Sequence, residues 1–220
     1  MSAPVRVVDA VKRYDGEVTA LDCVSAQVEG GELVALVGPS GCGKSTLLNL
    51  VGCIDLPTSG DVWVDGARTS SLSDDALTGL RRNRIGTVFQ FFNLIPTLTI
   101  AENVGLPLVL QRRKRSVVDE RVARALDAVG IADRANASPA TVSGGQLQRA
   151  AIARAIVHEP AIVLADEPTG NLDSHNGALV LDILRRLADG GQAILMATHS
   201  EEAAARADRC IRMRDGRIVA

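Results

Sequence analysis

The stretch Gly38-Pro39-Ser40-Gly41-Cys42-Gly43-Lys44-Ser45 decides the fold, because it meets every fixed position of the pattern G-x-x-x-x-G-K-[ST]. Its flanks agree. Leu33 to Val37 is short, apolar and bounded by Gly30-Gly31 and Gly38, which predicts a buried parallel strand. Thr46 to Val51 has helical composition without Gly or Pro. A glycine-rich loop between a strand and a helix lets successive backbone N–H groups turn inward on one anion, and the helix start adds its unpaired N–H groups and positive dipole end. In such a loop Lys44 reaches β- and γ-phosphates and the Ser45 hydroxyl ligates a magnesium ion bridging them. The motif names the ligand and leaves the task open, since kinases, GTPases, recombinases and transport ATPases all use it.

Composition narrows the setting. At 220 residues the chain suits one domain with room for a subdomain. The 24 basic and 26 acidic residues give no general nucleic-acid footprint and no attraction to a membrane surface. No apolar run approaches the ~20 residues that cross a bilayer, and Met1-Ser2-Ala3-Pro4 does not read as a signal peptide. The expectation is a soluble, unexported chain. Cys23, Cys42, Cys53 and Cys210 are scattered without a C-x-x-C pair, so reduced thiols are expected. Cys42 has two readings: a thiol drawn toward thiolate and reachable when the loop is empty, or a small residue that merely fits.

Along the chain, Val5 to Val8, Thr19 to Val28 and Asp61 to Gly66 show alternation and β-branched content, which predicts an antiparallel sheet with one wet face. Tyr14 falls in the polar run Lys12-Arg13-Tyr14-Asp15-Gly16, read as a turn whose ring either stacks on a nucleotide base or is half-buried. Gly86 to Phe89 is a further strand, ending at Gln90. Three of the five aromatic residues lie within Phe89 to Phe92, and Phe91 to Leu98 is apolar, proline-broken and irregular. That run is either a docking surface for another protein or a loop folded onto its own helices. Helices are predicted near Ile100 to Leu110, Val117 to Val129 and Gln146 to Val157, with a solvated basic turn at Gln111 to Arg115. Ile162 to Ala165 and Ala193 to Ala197 read as buried strands joined by a helix over Ala178 to Ala188, a parallel crossover. Cys210 to Val219 reads as a hairpin about Asp215-Gly216, with nothing left for a regulatory domain.

The remaining chemistry gathers at strand ends. Asp166 and Glu167 close the Ile162 strand at the carboxyl edge of the sheet, where an Asp can hold magnesium and a Glu can orient or deprotonate an attacking water. His199 ends the next strand and is either a γ-phosphate contact or structural. Ser143-Gly144-Gly145-Gln146 opens a helix with a strong cap and free N–H groups. One triphosphate wrapped by Gly38 to Ser45 has little room for this second grip from the same chain, so a head-to-tail pair with nucleotides between subunits is expected.

These pieces, in this order, resemble the ATP-binding cassette ATPases of membrane transporters over nearly the whole chain. The resemblance identifies Gly38 to Ser45 as Walker A, Gln90 as the Q-loop glutamine, Val142 to Gln146 as the signature, Ile162 to Glu167 as Walker B with its catalytic glutamate, Asn171-Leu172-Asp173 as the D-loop and His199 as the switch histidine. It implies an α/β fold: a P-loop NTPase core with a mainly parallel sheet, an N-terminal antiparallel β subdomain and an inserted helical subdomain over about residues 97–157 of a single ATPase domain, 1–220. It implies ATP and Mg2+, with Tyr14 stacking on adenine, Gly38, Pro39, Ser40, Gly41, Cys42, Gly43, Lys44, Ser45, Thr46 and the partner's Ser143, Gly144, Gly145 and Gln146 around the nucleotide. Metal contacts then fall to Ser45, Gln90 and Asp166, and catalysis to Glu167, His199, Gln90 and Lys44. A second copy of the chain and a membrane permease docking near Phe91, Phe92, Leu94 and Ile95 are the implied partners, at the cytoplasmic face of the cell membrane.

Phe89 to Thr99 and Asp166 to Asp173 are similar to the branch that serves macrolide efflux and lipoprotein release, near the cell-division cassette. Val142 departs from it where leucine is usual. A signalling partner of a membrane complex would look alike in sequence. A ribosome- or nucleic-acid-associated ATPase of the same fold would instead need a tandem cassette, a coiled-coil insertion or a zinc module.

Overall fold

The computed structural model describes residues 3–14 and 18–219, and within them two sheets carry the chain. In chain order the strands are β1 (Val5–Tyr14), β2 (Val18–Val28), β3 (Leu33–Val37), β4 (Ser59–Val64), β5 (Ala67–Arg68), β6 (Ile85–Val88), β7 (Ile162–Asp166), β8 (Ala193–Thr198), β9 (Arg209–Arg214) and β10 (Arg217–Val219). The helices are α1 (Lys44–Val51), α2 (Asp74–Arg84), α3 (Ile100–Leu110), α4 (Arg115–Ala128), α5 (Gly144–Ile156), α6 (Ser174–Asp189) and α7 (Glu201–Ala205).

The first sheet has the order β2-β1-β4-β5 and is antiparallel throughout. The second has the order β10-β9-β3-β8-β7-β6, parallel from β9 to β6 and closed at one edge by the β9–β10 hairpin. β3, β7 and β8 are buried along almost their full length, as expected where helices cover both faces of a parallel sheet. The sequence-derived fold class therefore holds. Between β6 and β7 the chain runs through α3, α4 and α5, which share one apolar cluster with the parallel sheet.

Two readings need correction. Lys12, Arg13 and Tyr14 are not in a turn: they continue β1, facing Leu21, Thr19 and Val18 of β2. Register shifts after Val7 and Ala10, with Asp9 and Cys23 at positive φ, break the two-residue alternation that marks a strand. Asp15 and Gly16, also placed in that turn, lie outside the described residues. Helix α2 went unread in the sequence. Ser73 caps it by accepting from Ala76 N at 3.4 Å, and acids at its start and arginines at its end suit the helix dipole. Only Leu77 of the helix is buried, so it shows no apolar stripe.

The parallel sheet and the helical segment meet closely at Gly86. A Cβ there would stand 2.1 Å from the Ala155 carbonyl oxygen of α5. Gly86→Ala is expected to lower unfolding free energy by about 1–3 kcal/mol through overpacking, measured by urea denaturation. Unchanged stability would show that α5 has slack against β6.

Candidate functional site

Helix α1 begins at Lys44 without a side-chain cap and without an acid in its first turn, leaving its early N–H groups facing the loop. Two of the loop glycines are demanded by sterics as well as by curvature. At Gly38 (φ 156°) a Cβ would lie 2.2 Å from the Met213 carbonyl oxygen of β9, and at Gly43 (φ 105°) 2.7 Å from the Ala20 carbonyl oxygen of β2. Gly216 N also donates to Cys42 O at 3.1 Å, so the C-terminal hairpin braces the loop. That support was invisible in the sequence, where the hairpin and the loop are more than 150 residues apart.

One cavity of about 440 Å3 gathers Lys44, Ser45, Gln90, Asp166, Glu167 and His199 with the loop backbone and Thr46. Lys44 is buried, and its ammonium donates to the carbonyls of Gly38 (2.7 Å) and Pro39 (3.1 Å). Ser45 Oγ donates to Asp166 Oδ2 at 3.4 Å. Burial, and then the neighbouring Glu167 charge, raise the Asp166 pKa, with Ser45 and Lys44 acting the other way. A hydroxyl, an amide and a carboxylate form a hard-oxygen donor set that fits magnesium.

Glu167 adopts φ 46°, a left-handed conformation uncommon for a residue with a Cβ. Its backbone N–H bonds to Ala197 O at 2.9 Å, and its carboxylate accepts from His199 Nδ1 (2.9 Å) and His199 N (3.3 Å). Sequence reading gave these two residues separate tasks; the structure joins them in one pair.

One expectation comes out differently, and two groups of predicted nucleotide contacts lie outside this cavity. Cys42 is 3% exposed, packed in the core beneath the loop, so the reading as a reachable thiol is overturned and the small, fitting residue stands. Tyr14 lies outside the cavity lining: its hydroxyl donates to Asp55 Oδ2 at 2.9 Å and Lys12 Nζ sits 4.9 Å from its ring centre. Ser143 to Gln146 also lie outside the lining. There Ser143 and Gln146 close a capping box, so the Ser143 N–H is taken by Gln146 Oε1 at 2.9 Å and is not free. A Cβ at Gly145 would lie 2.1 Å from Asn176 Oδ1, so this glycine also lets α5 meet α6.

Gln148 is a residue that sequence reading missed. It is fully buried on α5, and its Nε2 donates to Pro168 O at 2.7 Å and Phe89 O at 3.4 Å, one residue beyond Glu167 and one before Gln90. The available signal was its spacing, three, four and seven residues before Ala151, Ile152 and Ala155, which puts a polar side chain on the apolar face of α5.

A family model described as ABC transporter matches residues 21–170. The chain belongs to that family. It is 44% identical to the uncharacterized ABC transporter ATP-binding protein MJ0796 of Methanocaldococcus jannaschii, covering 97% of this chain and 94% of that one. It is 43% identical to the macrolide export ATP-binding/permease protein MacB of Agrobacterium fabrum over 100% of its own length but only 34% of that protein's. Among solved structures, the MJ0796 cassette in a dimeric post-hydrolysis state bound to ADP and Pi gives a TM-score of 0.88 at 42% identity, covering 98% and 97% of the two chains. CbiO1 of Clostridium perfringens, part of the cbiONQ transporter complex, gives 0.92 at 28% identity, covering 100% and 88%. The cassette is therefore a nucleotide-binding ATPase of an ABC transporter. Among the described residues, no helix is long and apolar enough to cross a membrane.

Lys44→Ala is expected to weaken ATP binding at least tenfold in isothermal calorimetry; equal affinity would remove Lys44 from the cradle. Gln148→Leu, which strips the donor from Pro168 O, is expected to lower kcat for ATP while leaving nucleotide affinity near wild type. A change confined to KM would mean that Gln148 serves binding instead.

Proposed function

We propose that two copies of the cassette close head to tail on two ATP molecules and drive a separate membrane permease that exports or extrudes its substrate. The observation carrying this reading is the split of the phosphate-binding parts. Lys44, Ser45, Gln90, Asp166, Glu167 and His199 share one cavity, while Ser143 to Gln146 stand outside its lining. A second copy resolves the split by laying its Ser143 hydroxyl and the Gly144 and Gly145 N–H groups over the nucleotide. The dimeric MJ0796 structures and the similarity to MacB support the dimer and the export-type partner.

In this reading the loop from Gly38 to Thr46 cradles the phosphates and Tyr14 releases Asp55 to stack on adenine. Ser45, Gln90 and Asp166 would hold magnesium, which when bound neutralises charge on the phosphate oxygens. Glu167 accepts a hydrogen bond from the attacking water and takes its proton as the water adds in line to the γ-phosphorus; the bond to ADP breaks and inorganic phosphate leaves. His199, already paired with Glu167, holds that carboxylate and faces the γ-phosphate. Residues 1–220 work as one ATPase domain, with 97–157 as its helical subdomain.

The loop after Gln90 is the proposed contact with the permease. Phe91 (72% exposed) and Ile95 (39%) point outward, whereas Leu94 packs on the core and Phe92 is half-buried, so Phe91 and Ile95 carry the apolar contact. Asn103, fully buried on α3, fixes the loop by bonding to the backbone of Ile95, Leu98 and Thr99. Membrane association then comes through the permease, at the cytoplasmic face.

Glu167→Gln is expected to bind ATP, to hydrolyse it at least a hundredfold more slowly and to elute as a dimer with ATP in size-exclusion chromatography. A monomer turning over at the wild-type rate would refute both the base and the paired site.

A further inference from the structure

We infer that a basic turn at the end of α3 lays the cassette directly on the anionic headgroups of a lipid bilayer, as a second attachment beside its protein partner. The inference rests on the reading above that Phe91 and Ile95 meet a membrane protein. Asn93, which lies midway between them in the chain, lines one cavity with Leu110, and this sets the turn on the same side of the molecule.

Helix α3 ends in Gln111-Arg112-Arg113-Lys114-Arg115, a run that takes no part in the nucleotide cavity. Its four cations are all exposed. Gln111 Nε2 donates to Arg82 O at 3.1 Å, so the end of α2 lies alongside and adds the exposed Arg82 to the cluster. Among the described residues only Arg115 of these five has an ion pair, with Asp119 at 2.8 Å. The next acid of α4, Glu120, is taken by Arg124 at 3.2 Å.

The fold does not need these charges. Backbone alone closes α3: Arg112 N donates to Val109 O at 2.9 Å and Arg113 N to Leu108 O at 3.0 Å, the paired bonds of a Schellman end. Arg112 itself stands at φ 57°, where glycine is the usual residue. The α3 dipole favours a cation near its last carbonyls, but Lys114 and Arg115 stand at the N-terminus of α4, whose positive end disfavours them. No acid lies in the first turn of α4 to offset that.

A ligand that repays this placement is a negatively charged surface. The chain as a whole carries a net charge of -2, so outside the cluster it is net acidic, and an anionic bilayer attracts this face while repelling the rest. Val109 and Leu110, 57% and 58% exposed, set apolar side chains beside the cations, the mixture that suits a headgroup layer. No aromatic residue interleaves the run, so a nucleic acid would lack its stacking platform. The attachment is reversible and screened by salt, and it orients the cassette for the protein contact.

The test sediments the full chain with phosphatidylcholine vesicles, with and without one third phosphatidylglycerol, at low and raised salt. Binding is expected to the anionic vesicles only, falling at least tenfold as salt rises. Arg112, Arg113 and Lys114 changed together to Glu should lower that binding at least tenfold with ATP hydrolysis at the wild-type rate, whereas Arg112→Lys with Arg113→Lys should keep it. Equal binding to neutral vesicles, no binding at low salt, or full binding after the charge reversal overturns the bilayer contact. Retention of tRNA without vesicle binding, lost on charge reversal, assigns the turn to nucleic acid and overturns it equally. Purified alone, the chain has no permease beside it, so these outcomes leave the contact at Phe91 and Ile95 standing. That contact fails separately if Phe91→Ser leaves co-purification of a membrane protein unchanged.

Discussion

The nucleotide loop can curl around an anion only because its glycines let other backbone come within bonding distance. Met213 O and Ala20 O occupy the places where side chains would stand at Gly38 and Gly43. Strand β3 thus feeds a loop held from one side by β9 and from the other by β2, elements that belong to different sheets. The brace fixes the start of α1, and with it the unpaired N–H groups and Lys44. An anion site made of backbone dipoles needs no reorganisation when charge arrives, which is the condition for strong electrostatic stabilisation in a partly buried cavity.

Charge balance at the opposite wall follows from that placement. Asp166 and Glu167 are consecutive acids at the end of a buried strand, and their proximity together with burial keeps the Asp166 pKa raised. The Ser45 hydroxyl and Lys44 oppose the shift, and a divalent cation would oppose it more strongly, which suits acids facing a phosphate site. The left-handed turn at Glu167 separates the two carboxylates: Asp166 meets Ser45, and Glu167 meets His199. One strand end therefore presents two acids with different partners, which is the division the proposed mechanism needs between a metal-side acid and a water-side base.

Much of this was legible because the decisive residues are contiguous in sequence. Gly38 to Ser45, the buried runs of β3, β7 and β8, and the acids at 166 and 167 could each be read from a window shorter than ten residues. What escaped reading is non-local or lacks a period. The last residues of β1 were hidden by bulges, α2 by the want of an apolar stripe, and the burial of Cys42 by the fact that the cluster around it is drawn from both sheets and α1. The pairing of Glu167 with His199, 32 residues apart, needs the adjacency of β7 and β8, which sequence order alone leaves open.

The segment from Phe89 to Asn93 is where these parts converge. Gln148 holds Phe89 O from α5, Asn171 Nδ2 holds Gln90 O at 3.0 Å from the loop after β7, and Arg154 holds the carbonyls of Phe92 and Asn93. Gly170 completes the set, since a Cβ there would stand 3.0 Å from Gln90 Nε2. Five residues thus take restraints from both the helical segment and the catalytic loop while exposing Phe91 on the outside. A segment held at both ends, strained at Phe92 and Asn93 and open to a partner between them, has few ways to shift without moving Gln90. On the proposed docking at Phe91, nucleotide in the cavity and partner on the outer surface would act on one short piece of backbone, and each would change the binding free energy of the other.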